Sequence, residues 1–211
     1  MFRMFLGIYN LPNLITLIGL SLSVWACYFS FTNNLNLAVI FFMYSGICDL
    51  FDGAVARKLK LTEDEKAFGA QLDSIVDMVS FGLTPVVIAF QFLGIGTILR
   101  NNMLDLVIFS LYACCAAMRL AYFNIYGTQK VEGKSYFTGL PVTSSALIFP
   151  LVYALIVMFW FISPHMAVIR GTFLLLSFMF VVKIPIPKPQ GIFYVIFPIL
   201  ALFVTVFWLL A

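Results

Sequence analysis

The chain has 211 residues, of which 63% are hydrophobic and 10% charged, and its mean hydropathy is +1.07. A soluble domain is nearer half apolar and about a quarter charged, so this composition excludes an ordinary water-soluble enzyme and requires an integral membrane protein. The net charge of +3 comes without a basic patch interleaved with aromatics, which argues against a nucleic-acid surface.

The opening MFRMFLGIYNLPN is interrupted by Asn10 and Pro12 too early for a cleavable signal sequence, and it reads as an interfacial lead-in. Seven apolar segments follow, at about 13–32, 36–56, 70–93, 103–124, 140–162, 165–182 and 191–210. Most approach the ~20 residues a helix needs to cross a bilayer. Helices are expected because hydrocarbon leaves backbone groups no water partners, and the alternation of a membrane barrel is missing. The expected architecture is an all-α bundle of about six to eight transmembrane helices. The loops are short, so residues 1–211 are expected to form a single transmembrane domain. Cys27, Cys48, Cys114 and Cys115 lie within apolar runs without metal-ligand spacing, and His165, in the loop SPHM, reads as an interfacial residue.

Lys and Arg set the orientation. A cytoplasmic N-terminus puts Arg3, Arg57, Lys58, Lys60, Lys66, Lys130, Lys134, Lys183 and Lys188 on the cytoplasmic side, nine of the twelve basic residues. Arg100 and Arg170 then fall near the outer side, Arg119 lies within a span, and seven spans carry the C-terminus outside.

The stretch DLFDGAVARKLKLTEDEKAFGAQLDSIVD, residues 49–77, holds four aspartates at or beside apolar runs. If the second span remains helical through Arg57, then Asp49 and Asp52 share a face, with Gly53, Ala56 and Arg57 on or beside it. Asp73 and Asp77 are one turn apart on the next helix, with Gly69 a turn earlier on the same stripe. A short loop lets the two helices face each other, so the four carboxylates converge near one membrane surface. Such carboxylates cannot all remain ionised in a low dielectric without cations. Oxygen-only ligands favour Mg²⁺ or Mn²⁺ over zinc or copper. Gly53, Ala56 and Gly69 remove bulk where a ligand approaches, and Arg57 suits a phosphate, whether of a substrate or of a lipid headgroup. The run Glu63, Asp64, Glu65 reads as a solvated loop.

The pattern Asp49-x-x-Asp52-Gly53-x-x-Ala56-Arg57, then Gly69-x-x-x-Asp73-x-x-x-Asp77, resembles the signature of the CDP-alcohol phosphotransferases, with all eight positions met. The eleven residues between Arg57 and Gly69 are more than is usual in that family. Lys66 stands where many relatives carry a small hydroxyl residue. Pro12-Asn13-Leu14-Ile15-Thr16 is similar to the family's segment that helps hold the CDP moiety. Residues 73–82 (DSIVDMVSFG), 119–124 (RLAYFN) and 137–141 (FTGLP) resemble the serine-accepting branch, with Tyr122 in place of a usual arginine.

The resemblance implies transfer of a phosphatidyl group from CDP-diacylglycerol to the hydroxyl of L-serine, releasing CMP. It implies metal binding by Asp49, Asp52, Asp73 and Asp77, with Asp77 also the general base. It implies nucleotide contacts from Asn13, Thr16, Gly53 and Arg57, and commonly a homodimer. Arg119 is the best-placed positive group for serine, a pair with a carboxylate or lipid phosphate being the alternative; Lys130, Lys134 and Asn124 are weaker candidates. The expected location is a cell membrane, multi-pass, with the site at the cytoplasmic face, where serine arrives. Two other readings stay open. One is the same chemistry on inositol phosphate or glycerol phosphate. The other is a cation channel or transporter, which expects acids near midmembrane on several helices.

Overall fold

The computed structural model describes residues 7–94, 103–127, 129–131, 134–159, 165–187 and 193–210. Asn10 starts the first helix: its side-chain oxygen accepts from the Asn13 N–H at 3.0 Å, and Pro12 sits where the helix needs no N–H. Helix α1 (Leu11–Phe31) turns into α2 (Leu35–Ala56) through Asn33, at φ 60°, and Asn34, whose side chain accepts from the Leu37 N–H. Helices in lipid gain little from burying apolar surface on one another, so close packing depends on small residues. A Cβ on Gly19 of α1 would stand 3.1 Å from the Cβ of Cys48 on α2.

The third helix, α3 (Glu63–Asp77), begins at Glu63 rather than at 70. Thr62 and Glu65 form a capping box, the Thr62 N–H donating to the Glu65 carboxylate at 2.8 Å and the Glu65 N–H to Thr62 Oγ1 at 3.3 Å. The run Glu63, Asp64, Glu65 is therefore the first helical turn and not a loop. Hydropathy misses it because it is polar, whereas acids at a helix N-terminus are favourable. Most of the long interval before Gly69 is thus split between a six-residue connection, 57–62, and the start of α3.

A π-helical turn, Met78–Leu83, carries α3 into α4 (Thr84–Phe92) as one continuous rod. Pro85 has no N–H for the carbonyl one turn earlier. The Phe81 carbonyl instead accepts the Tyr112 hydroxyl at 2.7 Å, with Ser145 Oγ at 3.5 Å. The remaining helices are α5 (Met103–Tyr126), α6 (Ser145–Met158), α7 (His165–Val181) and α8 (Phe193–Leu210). The seven expected spans all correspond to helical segments. Four are long and apolar enough to cross a membrane, and three shorter apolar helices accompany them among the described residues. The chain is a multi-pass helical membrane protein.

Phe109 and Tyr112 of α5, Phe149 of α6 and Phe173 of α7 pack edge-to-face or tilted in a buried aromatic core, with centroids 4.5 Å apart for Phe109–Phe173 and Phe149–Phe173. At the far end of the bundle from Asp49, Asp105 of α5 is fully buried and accepts both Nε and Nη2 of Arg170 of α7, at 2.5 and 3.0 Å.

Three short strands add to the helices: β1 (Gln129–Val131), β2 (Lys134–Thr138) and β3 (Pro185–Pro187), antiparallel in the order β1-β2-β3. They are too short and polar for apolar periodicity to mark, and the prolines of β3 fit only an edge strand. The sheet joins the α5–α6 connection to the α7–α8 connection. Gly139, at φ 82°, follows β2; its N–H donates to the Ile184 carbonyl at 2.8 Å, and an added Cβ would meet the Val182 carbonyl at 2.9 Å. The Leu140 N–H donates to the Met179 carbonyl near the end of α7. The antiparallel helix order sets the segments holding Arg57, Lys58, Lys60, Lys66, Lys130, Lys134 and Lys183 at the end that bears Asp49. Arg3, Arg100 and Lys188 lie outside the described residues.

Replacing Arg170 by Met strands the buried Asp105 carboxylate and is expected to destabilise the bundle by about 3 kcal/mol. The further change Asp105→Leu should recover most of that loss, read by steric-trap unfolding in micelles. Equal stability of the parent and the single variant would show that the pair is immaterial.

Candidate functional site

Asp49 and Asp52 lie three residues apart in the last turns of α2, and Asp73 and Asp77 four apart near the end of α3. The helical period puts each pair on one face, and the short connection turns those faces together. One carboxylate oxygen from each of Asp49, Asp52 and Asp73 lies within 4.8 Å of the others. Asp77, 7% exposed, lines the same inner space as Asp49. Cation–oxygen distances of about 2.0–2.6 Å put opposite ligands some 4–5 Å apart, so the triad suits one divalent ion. Its donors are all hard oxygens, as Mg²⁺ or Mn²⁺ prefers.

Thr16 ties α1 to this cluster. Its hydroxyl donates to Asp52 Oδ2 at 2.5 Å, the nearer of two acceptors, the other being the Pro12 carbonyl at 3.1 Å. This partner holds the buried Asp52 carboxylate in one orientation, a role that sequence reading did not give Thr16. It is legible only once α1 is known to cross α2 at that level.

Two cavities meet at the aspartates. The outer one, about 460 Å³, is lined by Asn13, Thr16, Gly53, Ala56, Arg57 and Gly69, with Asp52 and Asp73 on its inner wall. All the residues read as nucleotide-side therefore share one cavity, except Arg119. Side chains already stand over both signature glycines. A Cβ on Gly69 would stand 3.2 Å from Asn13 Oδ1, and Asn13 is fixed by its Nδ2 donating to the Ile8 carbonyl at 2.8 Å. Over Gly53 lies the guanidinium of Arg57, 3.4 Å from where a Cβ would be. Lys66, at the rim, pairs with Glu63 at 2.8 Å. The inner cavity, about 10 Å³, is lined by all four aspartates and by Ser45 and Ser80; sequence reading gives Ser45 no role and includes Ser80 only as part of the 73–82 motif.

Arg119 is buried in α5 and lines neither cavity. Its Nε donates to the Leu140 carbonyl at 3.1 Å and Nη2 to the Gly139 carbonyl at 3.5 Å, with the guanidinium 5.4 Å from the Phe123 ring. Through these bonds the arginine holds the FTGLP turn. Asn124 accepts from Ser74 Oγ at 2.8 Å, linking α5 to α3 beside Asp73. Tyr122 stands under the ammonium of Lys183, 5.9 Å from its ring centroid. The side chains of Lys130 and Lys134 lie outside the described residues.

Fold and site together define a multi-pass helical membrane protein with a cluster of carboxylates beside an open cavity at one end of the bundle. The profile of the CDP-alcohol phosphatidyltransferase family matches residues 9–210, and the chain belongs to that family. Among curated proteins it is similar to a CDP-diacylglycerol–serine O-phosphatidyltransferase of Saccharomyces cerevisiae, 40% identical over 120 residues, covering 54% of this chain and 40% of the yeast protein. A protein of the same name from Mycobacterium bovis is 29% identical over 140 residues, covering 65% of this chain and 46% of its own length. An archaetidylserine synthase of Methanothermobacter thermautotrophicus is 28% identical over 137 residues, covering 65% and 54%. The matched part thus spans about half the length of these relatives.

Thr16→Val removes the donor to Asp52 at unchanged volume and should cost roughly 1–3 kcal/mol. The expected readout is a lower midpoint in micelle unfolding, with Thr16→Ser restoring most of it. A Val variant as stable as the parent would mean that the Thr16 hydroxyl does not hold Asp52.

Proposed function

We propose that this protein transfers the phosphatidyl group of CDP-diacylglycerol to the hydroxyl of L-serine, giving phosphatidylserine and CMP. The observation that carries this reading is the aspartate cluster opening onto a cavity lined by the signature's nucleotide-side residues. Family membership supports the reaction class. The acceptor rests on the names of the similar proteins, which share serine while differing in lipid.

Asp49, Asp52 and Asp73, with Asp77, would hold Mg²⁺ or Mn²⁺, one ion or two. When bound, the cation polarises the donor's pyrophosphate oxygens and offsets the charge on departing CMP. Asn13, Gly53 and Arg57 bind and orient the nucleotide part, Gly53 and Gly69 keeping its approach clear. Asp77 accepts the proton of the serine hydroxyl as that oxygen bonds to phosphorus, and the bond from phosphorus to the CMP oxygen breaks. An unassisted hydroxyl is a poor nucleophile, and a positioned base is worth about 10²–10⁴ in rate. Arg119 serves the acceptor side by holding the Gly139–Leu140 carbonyls, and so the turn that roofs that end of the bundle.

The site would face the cytoplasm of a cell membrane, supported by the basic segments at the aspartate end. A homodimer and a single domain over residues 1–211 rest on the family likeness. A channel reading is disfavoured because the acids gather on two helices at one end of the bundle.

Purified protein with CDP-diacylglycerol, Mn²⁺ and radiolabelled serine should yield labelled lipid and equimolar CMP. Release of CMP with inositol phosphate or glycerol phosphate but not serine would overturn the acceptor. Asp77→Asn should lower kcat by about 100-fold or more with little change in KM, and full turnover in that variant would remove the general base. Chelation should abolish turnover and added Mg²⁺ or Mn²⁺ restore it; activity persisting in excess chelator would contradict the cation site.

A further inference from the structure

Beneath the four aspartates lies a polar floor that the proposed reaction does not use. Ser45, one helical turn before Asp49 on α2, and Ser80, one turn past Asp77 in the π-helical segment, are each 1% exposed. Neither hydroxyl oxygen has a hydrogen-bond partner among the described residues. Both line the inner cavity of about 10 Å³ together with Asp49 and Asp77. Gly19 of α1 lines it as well and leaves room, and Phe81, 1% exposed, separates it from the hydrophobic core.

Two buried hydroxyls without partners each forgo a hydrogen bond, which is unfavourable in a low dielectric. Their usual remedy is internal water, which needs about 10–15 Å³ of probe space and two to four polar partners. This cavity matches one water and no larger ligand. Direct serine-to-serine or serine-to-carboxylate bonds do not form, although both residue types line the same cavity.

We propose that Ser45 and Ser80 form a buried single-water site at the floor of the carboxylate cluster, and that this water, bonded to both hydroxyls, orients Asp49 and Asp77 toward the cation. The inference rests on the cation-site reading above. In this arrangement Ser45 and Ser80 are positioning residues that act through the carboxylates. The π-helical turn has a role in this arrangement, since its wider coil and the Phe81–Tyr112 bond fix where Ser80 sits.

The test is Mn²⁺ binding to the protein in detergent without substrate, followed by the electron paramagnetic resonance of free Mn²⁺, for the parent, Ser45→Ala, Ser80→Ala and the double variant. Loss of groups that orient metal ligands typically weakens binding about 10–100-fold. Each single variant should therefore weaken Mn²⁺ binding by about 10-fold or more. The double variant should be scarcely weaker than the worse single one, because either change already removes the shared water. Additive losses would mean two independent packing effects and would overturn the proposal, as would unchanged affinity in both single variants. A parent that fails to bind Mn²⁺ would instead overturn the cation-site reading. Should a variant unfold, high-resolution diffraction of the parent decides: one water within hydrogen-bond distance of both hydroxyls supports the site, and direct Ser–Asp hydrogen bonds with no water between them overturn it.

Discussion

Everything at the working end of this bundle follows from bringing carboxylates together where little water can screen them. Like charges a few ångströms apart in a low dielectric repel strongly, so such a cluster persists only if the surrounding fold restrains it and protons or a cation offset its charge. The restraint is visible. Asp49 and Asp52 ride on α2, Asp73 and Asp77 on α3, and the hydroxyl of Thr16 on α1 fixes Asp52. The three helices can approach this closely because Gly19 and Gly69 withhold side chains at the crossings.

The rest of the molecule keeps that geometry in register. The α3–α4 rod changes to π-helical winding just past Asp77, and the carbonyl freed by Pro85 is captured by Tyr112 from α5. Arg119 of the same helix holds the Gly139–Leu140 turn, which in turn caps α7 and seeds the three-stranded sheet. At the opposite end, Asp105 and Arg170 lock α5 to α7. Polar bonds thus tie the helices at both ends, as expected where hydrocarbon surroundings weaken any hydrophobic preference for one helix packing over another.

Much of this was legible in the sequence because two signals are strong. Apolar length marks the spans, and the i, i+3 and i, i+4 spacing of the aspartates marks a shared face. The start of α3 was missed because its first turns are polar, although Thr62 and Glu65 already spelled a capping box. Arg119 looked like a ligand for an anion, but its partners are carbonyls of a turn twenty residues further on, and no local pattern reveals such a contact. The hydroxyls of Ser45 and Ser80 were hidden for a related reason. An isolated serine in a span has many harmless places to point, and only the packed helices show these two lining the carboxylate cavity.

The central claim is that these carboxylates hold a divalent cation beside the open cavity. Anomalous diffraction at the manganese edge, on crystals grown with Mn²⁺, tests it most directly. The account predicts a peak bounded by oxygens of Asp49, Asp52 and Asp73 at about 2.0–2.6 Å, the range for hard cations on carboxylate oxygen. A peak elsewhere, with the aspartates bonded only to one another or to protein donors, would contradict it.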